Sequence, residues 1–292
     1  MNNSDAGSSM EQLLKMPVYV GLLIKTAAQL MSHPMELVRV NMQANVIHHS
    51  RLSINHMFRL MARHGLPGFY YGIVASCLRC TVHTISTYTL FYNLRDNKYV
   101  QMLQPYNTSM VLGVTGFWGG ILATPFAKLA VIRQADLTRG SYERRNYRNF
   151  WRGLTCMYGK GGFIYLFTGW KINSFSSASV AALYNPISDQ VQTMTSWFHT
   201  LNEPWISDLV TMALTGSIIT VIMTPVDALA TLTLNESSHY GRISYPNLCE
   251  KIIRKHGYKG FFFGWKPALV ALIPHTILAT FVYRFLLDRY IT

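Results

Sequence analysis

Three segments, HPMELVRVNMQ (33–43), TPFAKLAVIRQ (124–134) and TPVDALATLTL (224–234), each put a proline near the end of an apolar run. The prolines, Pro34, Pro125 and Pro225, stand 91 (from 34 to 125) and 100 (from 125 to 225) residues apart. Downstream of each comes an aromatic step ending in glycine: GFYYG to Gly72, IYLFTG to Gly169 and GFFFG to Gly264, with Pro-to-Gly separations of 38, 44 and 39. Two markers that move together through a chain are the signature of an internal repeat. Whatever structure the chain adopts, it adopts three times over.

Half of the residues are hydrophobic and only 13% are charged, about half the charge fraction of a soluble domain. Residues 209–226, 267–283 and 99–127 carry no charge at all, and each run is near the roughly 20 residues that cross a bilayer. Glycine, proline and hydroxyl residues recur inside these runs, as membrane helices tolerate. Each repeat reads as an apolar helix, a polar loop with a short amphipathic helix (around 53–64, 147–158 and 245–256), and a second apolar helix. The expected fold is an all-α membrane protein of six transmembrane helices, odd-numbered near 17–43, 108–134 and 206–233 and even-numbered near 70–95, 163–191 and 262–288. The boundaries are a polar N-terminal tail at 1–15 and repeats at 16–98, 99–200 and 201–292. An even count puts both termini on one side. The loops inside repeats are basic (Arg139, Arg144, Arg145, Arg148 and Arg152; Lys251, Arg254, Lys255 and Lys259), so they face the insertion side or its matrix equivalent.

A net charge of +13 suits an anionic membrane surface or an anionic solute, and no nucleic-acid motif is present. Cys77 and Cys80 form a lone CxxC without a second pair, so a metal site is not expected and helix-lining cysteines are. The opening MNNSDAGSSM has no basic segment ahead of an apolar core and does not read as a cleaved secretory signal. Paired catalytic carboxylates, a nucleophile triad and a phosphate-cradling glycine loop are not recognisable, so a transporter is expected rather than an enzyme, with no cofactor.

A proline inside a helix removes a backbone hydrogen bond and kinks it. Three kinked helices in threefold array converge at one end, and charges just past the kinks meet near the axis. Arg79 lies between the uncharged stretches 65–78 and 80–94. So deep an arginine is costly unless it meets water or an anion, which makes it a functional candidate by default, and its planar fork suits a carboxylate.

Three repeats of about 100 residues, each with a proline-kinked first helix (Pro-x-acid-x-x-base in full form) and an aromatic-x-Gly step, resemble the mitochondrial carrier family, solute carrier family 25. The resemblance runs from about Val18 to Tyr290. YERRNYRNF (142–150) and GWKPALVALIPHTIL (264–278) are most similar to that family's 2-oxoglutarate/malate carrier branch.

The resemblance implies a gate on the matrix side, in which the acid of one repeat pairs with the base of the next. Glu36 and Arg39 match both positions and Gln43 the bracing glutamine. In the second repeat Ala127 and Ala130 replace acid and base; in the third Asp227 keeps the acid, but Ala230 and Leu234 replace base and brace. Arg39 to Asp227 is then the expected bridge, and Glu36 lacks its partner unless Lys128 reaches it. Lys128 and Arg133, off register, otherwise read as interfacial residues. At the opposite mouth FYNLR (91–95), SDQVQ (188–192) and YRFLL (283–287) supply Arg95, Asp189 and Arg284, so one Arg–Asp bridge is expected at each end.

The family binds solute midway across the membrane. Seven residues past the step glycines stand Arg79, Ser176 and Ala271; one turn on, His83, Val180 and His275; another turn adds Thr87, Tyr184 and Ala279. The resembling dicarboxylate carriers bear arginine at all three of the first positions. His83 and His275 either replace part of that charge or are neutral histidines bonded within the bundle. Lys25 either lines the cavity or pairs with Asp189 or Glu36, and Gln29 and Tyr184 read as packing residues. The resemblance implies alternating-access exchange of a small anionic solute, a carboxylate of the 2-oxoglutarate/malate kind, by a monomer in the mitochondrial inner membrane. Cardiolipin is an expected lipid partner. The alternatives are a transport-deficient scaffold or insertase-like protein, and an uncoupling-protein-like proton or anion leak.

Overall fold

The protein is described by a computed structural model covering residues 18–47, 53–95, 107–139, 142, 144, 145, 147, 149–195, 204–235 and 244–290. Among the described residues there is no β-strand. Six long helices dominate: α1 (Val18–Ala44), α4 (Ile73–Arg95), α5 (Asn107–Ala135), α7 (Trp170–Met194), α8 (Pro204–Asn235) and α10 (Trp265–Tyr290). The shortest, α4, has 23 residues and is about 35 Å long at 1.5 Å per residue, enough for a hydrocarbon core of about 30 Å. Thr108–Ala135, Ile206–Asn235 and Tyr258–Val282 are long and apolar enough to read as spans by composition alone. The other three long helices are polar where they face the interior of the bundle, which lowers their apolar average without shortening them.

The six helices close a ring: α1 packs on α4, α4 on α5, α5 on α7, α7 on α8, α8 on α10 and α10 back on α1. Pro34, Pro125 and Pro225 lie inside α1, α5 and α8, so each of these helices runs through its proline. Gly72, Gly169 and Gly264 immediately precede or cap the even helices with φ of 86°, 90° and 87°, a left-handed turn that disfavours any side chain with a Cβ. Each presses on the odd helix of the next repeat. A Cβ at Gly72 would lie 3.4 Å from Arg133 Cβ, one at Gly169 3.0 Å from Thr233 Cγ2, and one at Gly264 3.3 Å from Arg39 Cγ. The aromatic step is therefore where one repeat is seated against its neighbour.

The short helices are α2 (Ile54–Arg63), α6 (Phe150–Leu166) and α9 (Tyr245–His256). They close the converging end by burying one apolar stripe each. Met57 and Met61, one turn apart, pack with Leu37, Val38 and Leu137; Phe150 and Met157 pack with Leu129, Ile132 and Tyr165; Ile252 packs with Val46 and Leu232. The spacing of these stripes is that of a surface helix with one buried face. α6 is broken at Gly161 and Gly162, whose backbone is not helical, so its first segment ends close to the expected 158 and a second short turn follows to Leu166. A one-turn helix α3 (Leu66–Phe69) and a 3₁₀ turn (Tyr258–Phe262) add structure ahead of two of the steps.

α5 sits close to both of its neighbours. A Cβ on Gly120 would fall 2.7 Å from Ser174 Cα of α7, and one on Gly119 2.6 Å from Thr87 Oγ1 of α4. Small residues allow this approach where helices in lipid are held by packing. Gly120→Ala must push α5 and α7 apart, and overpacking of this kind costs about 1–3 kcal/mol. Thermal unfolding of the purified protein in detergent should show a melting temperature lowered by several degrees, and an unchanged value would contradict this packing.

Candidate functional site

α1 presents Gln29, Ser32, Glu36 and Arg39 to the interior at helical spacing, the face that steps of three and four keep aligned. α4 adds Arg79, α7 Ser176, α8 Asp227 and α10 His275. All line one cavity of about 310 Å³. Residues of all six long helices contribute to its wall, which places it on the axis of the ring.

Charge inside this cavity is organised by two carboxylates. Arg79 Nη2 lies 2.9 Å from Glu36 Oε1 and 3.4 Å from Gln29 Oε1, while Gln29 Nε2 donates to the second oxygen of Glu36. Arg39 stands 3.9 Å from Glu36 and 4.0 Å from Asp227. The Ser176 hydroxyl donates to Asp227 Oδ1 at 2.6 Å. Gln43 Oε1 accepts from Arg39 at 3.4 Å and from Thr231 at 2.9 Å. The Glu36 side chain is only 11% exposed, and an ionised carboxylate so far from water needs this set of donors. The network runs from α4 through α1 to α8 and α7.

The pairing differs from the sequence expectation in one important place. Arg39 meets Asp227, although at the long limit of an ion pair. Glu36 is paired as well, with Arg79, a residue expected to serve a solute. Lys128 does not reach it: its ammonium group is buried, donates to the Tyr165 carbonyl at 2.8 Å and sits 3.6 Å from the centre of the Tyr165 ring. It therefore pins α5 to α6 and is not an interfacial residue either. Arg133 lies 5.7 Å from the centre of the Tyr71 ring.

His275 lines the cavity, with Nε2 3.5 Å from Ser32 Oγ. His83 and Thr87 both border Gly119, at the α4–α5 contact, and neither lines the cavities found on the axis. Asp189 is exposed and makes no ion pair among the described residues. The side chains of Arg95 and Arg284 lie outside the described residues. Lys25 pairs with neither Asp189 nor Glu36 among the described residues; it lines a second cavity on the axis, 5.6 Å from the centre of the Tyr88 ring.

Several polar residues that tie the converging ends together carry no motif. Asn41 Nδ2 donates to the Gln134 carbonyl at 3.0 Å, Asn45 Nδ2 to Thr138 Oγ1 at 2.8 Å, and the Thr138 hydroxyl to Asn41 Oδ1 at 2.9 Å. His33 is buried beside Pro34, stacks on Tyr70 and places Nε2 3.2 Å from the Tyr71 carbonyl, linking the first proline to the first glycine step. In the second loop Arg139 donates to Asn235 Oδ1 at 3.3 Å and Arg145 to the Asn235 carbonyl, which ties that loop to the end of α8. Burial and then the Arg139 charge pull the Arg145 pKa down, and Asp136 opposes them. Helical side chains placed four residues apart signal a shared face in the sequence, but a bond from a side chain to a distant carbonyl leaves no such trace.

Comparison with known proteins follows the same pattern. The family described as Mitochondrial carrier protein matches residues 16–100 and 202–292. A mitochondrial dicarboxylate transporter of Candida glabrata is 30% identical, over 93% of this chain and 94% of its own. The mitochondrial citrate transporter F of Aspergillus niger is 27% identical, over 91% and 87%, and the human mitochondrial 2-oxoglutarate/malate carrier protein 27% identical, over 90% and 87%. Six helices in a closed ring, three prolines inside its odd helices, three glycine steps against the next repeat and these matches give one conclusion: the chain belongs to the mitochondrial carrier family.

Proposed function

We propose that this protein is a multi-pass carrier of the mitochondrial inner membrane that exchanges small carboxylates by alternating access, without covalent chemistry. Its working units are the repeats 16–98, 99–200 and 201–292. The kinks at Pro34, Pro125 and Pro225 bring Glu36, Arg39, Gln43 and Asp227 together as the matrix gate, with Arg79, Ser176 and His275 as the solute-facing group. At the other mouth Arg95, Asp189 and Arg284 belong to the cytoplasmic gate, and His83 and Thr87 support the packing behind Arg79. The names of the relatives, a dicarboxylate transporter, a citrate transporter and a 2-oxoglutarate/malate carrier, support a carboxylate.

The observation that carries this reading is the Arg79–Glu36 pair inside the axial cavity. An arginine there is costly without an anion, and here the anion belongs to the gate. A carboxylate entering the cavity competes with Glu36 for the same guanidinium, and as it takes Arg79 it removes Glu36's strongest partner. Binding and gate release are then one event. The test is reconstitution into liposomes loaded with carboxylates, phosphate or nucleotides. Saturable counter-exchange restricted to carboxylates is the expected result, and no flux of any carboxylate would overturn it.

A further inference from the structure

The second cavity on the axis has a volume of about 400 Å³ and lies on the Lys25 side of the first, with which it shares Thr220, Asp227, Leu272 and His275. Its wall is apolar for the most part, built from such side chains as Met212, Met223, Tyr88 and Tyr184. Lys25 projects into it from α1, four residues and one helical turn from Gln29. Among the described residues Lys25 has no carboxylate within ion-pair distance; its neighbour is the face of Tyr88. Lys25 is half-buried, and an ammonium group withdrawn from bulk water into a mostly apolar wall without a counter-ion is disfavoured; its partner arrives from outside.

The charges lining the two cavities do not cancel. Lys25, Arg39 and Arg79 oppose Glu36 and Asp227, which leaves one cation over. The two cations not committed to holding Asp227 are Arg79 and Lys25. Gln29 lies 3.4 Å from Arg79, and the four residues from Lys25 to Gln29 rise about 6 Å along α1. Roughly that distance parts the two carboxylates of a short aliphatic diacid. Between the two stations the wall offers aliphatic and aromatic surface.

We propose that Lys25 is the second anion-holding residue of the translocation path and that, with Arg79, it selects a dicarboxylate with a plain aliphatic middle. This rests on the carrier reading above and deepens it. One carboxylate takes Arg79 from Glu36, the other meets Lys25, and the carbon chain lies against the Met212–Met223 wall. Lys25 on an odd helix thus supplies part of the positive charge that Ser176 and Ala271 do not. A tricarboxylate would leave its third carboxylate against apolar surface with no cation, and such burial is strongly disfavoured. A monocarboxylate would leave Lys25 unpaired.

The experiment uses the full chain in liposomes with glutarate, butyrate and propane-1,2,3-tricarboxylate as labelled probes. Wild type should exchange glutarate with a KM at least tenfold below that for either other probe. Lys25→Gln should raise the glutarate KM tenfold or more and move the butyrate KM less than twofold. Lys25→Arg should restore the preference. Thermal unfolding without solute supplies a second readout: Lys25→Met removes an unpaired cation from the cavity wall and should raise the melting temperature, whereas a lysine serving only the fold would lower it. If glutarate exchange is unchanged in Lys25→Gln, or if all three probes weaken equally, the inference fails and the carrier reading stands. If wild type moves none of the three, both fail.

Discussion

Replacing Arg79 by alanine should lower carboxylate counter-exchange about a hundredfold while leaving the protein folded. A hydrogen bond to a charged group is worth about 1.5–3 kcal/mol, and a factor of ten in an equilibrium constant corresponds to about 1.4 kcal/mol. Loss of the guanidinium removes the group that holds the solute carboxylate, so the deficit appears in kcat/KM for every carboxylate tested. It also strips Glu36 of its 2.9 Å partner and leaves Gln29 and the more distant Arg39 to hold it. Breaking a buried pair by removing one partner is destabilising by several kcal/mol, though this pair is part-exposed on the arginine side and the loss is smaller. The melting temperature should fall by a few degrees, measured without solute, and solute should no longer shift it. An Arg79→Ala protein that still exchanges carboxylate at the wild-type rate would show that Arg79 only anchors Glu36.

How much of this was legible in the sequence depends on how local the signal is. The threefold architecture was readable because the Pro and Gly markers are single residues with fixed backbone consequences: a missing N–H at Pro34, Pro125 and Pro225, and positive φ at Gly72, Gly169 and Gly264. The amphipathic helices were readable from spacing, as with Met57 and Met61 or Leu248 and Ile252. The partner of Glu36 was not. Register compares like positions on odd helices, where Ala130 replaces the base, and so it counts Glu36 as orphaned. Arg79 comes from an even helix, where register points it at the solute; only three-dimensional proximity shows that it also meets Glu36. Gln29 escapes notice for the same reason, since a glutamine bonded to both members of a pair looks like any polar residue in a helix. His83 and Thr87 follow Arg79 by steps of four, but each such step turns a further about 40° around the helix axis, and both border Gly119 of α5.

Glu36→Gln provides the largest effect in the opposite direction. In wild type an incoming carboxylate gains Arg79 only by displacing Glu36, so the observed affinity is a difference between two charge-assisted interactions. In Glu36→Gln the guanidinium has no competing charge, and solute binding should tighten about tenfold or more, seen as a lower KM and a larger stabilisation by solute. The same change removes the acid that Arg39 and Arg79 share at the matrix gate, so the closed state loses its strongest tie and solute-independent efflux from loaded liposomes should rise. Ala130→Lys separates these two consequences. It restores a base on α5 at a position that lines the same cavity as Glu36, giving Glu36 a partner outside the solute site. Arg79 is then freed while the gate remains paired: affinity should rise as in Glu36→Gln, but efflux without counter-solute should fall below that of wild type. If neither variant tightens solute binding, the gate and the solute site do not compete for Arg79, and the 2.9 Å contact is a structural pair.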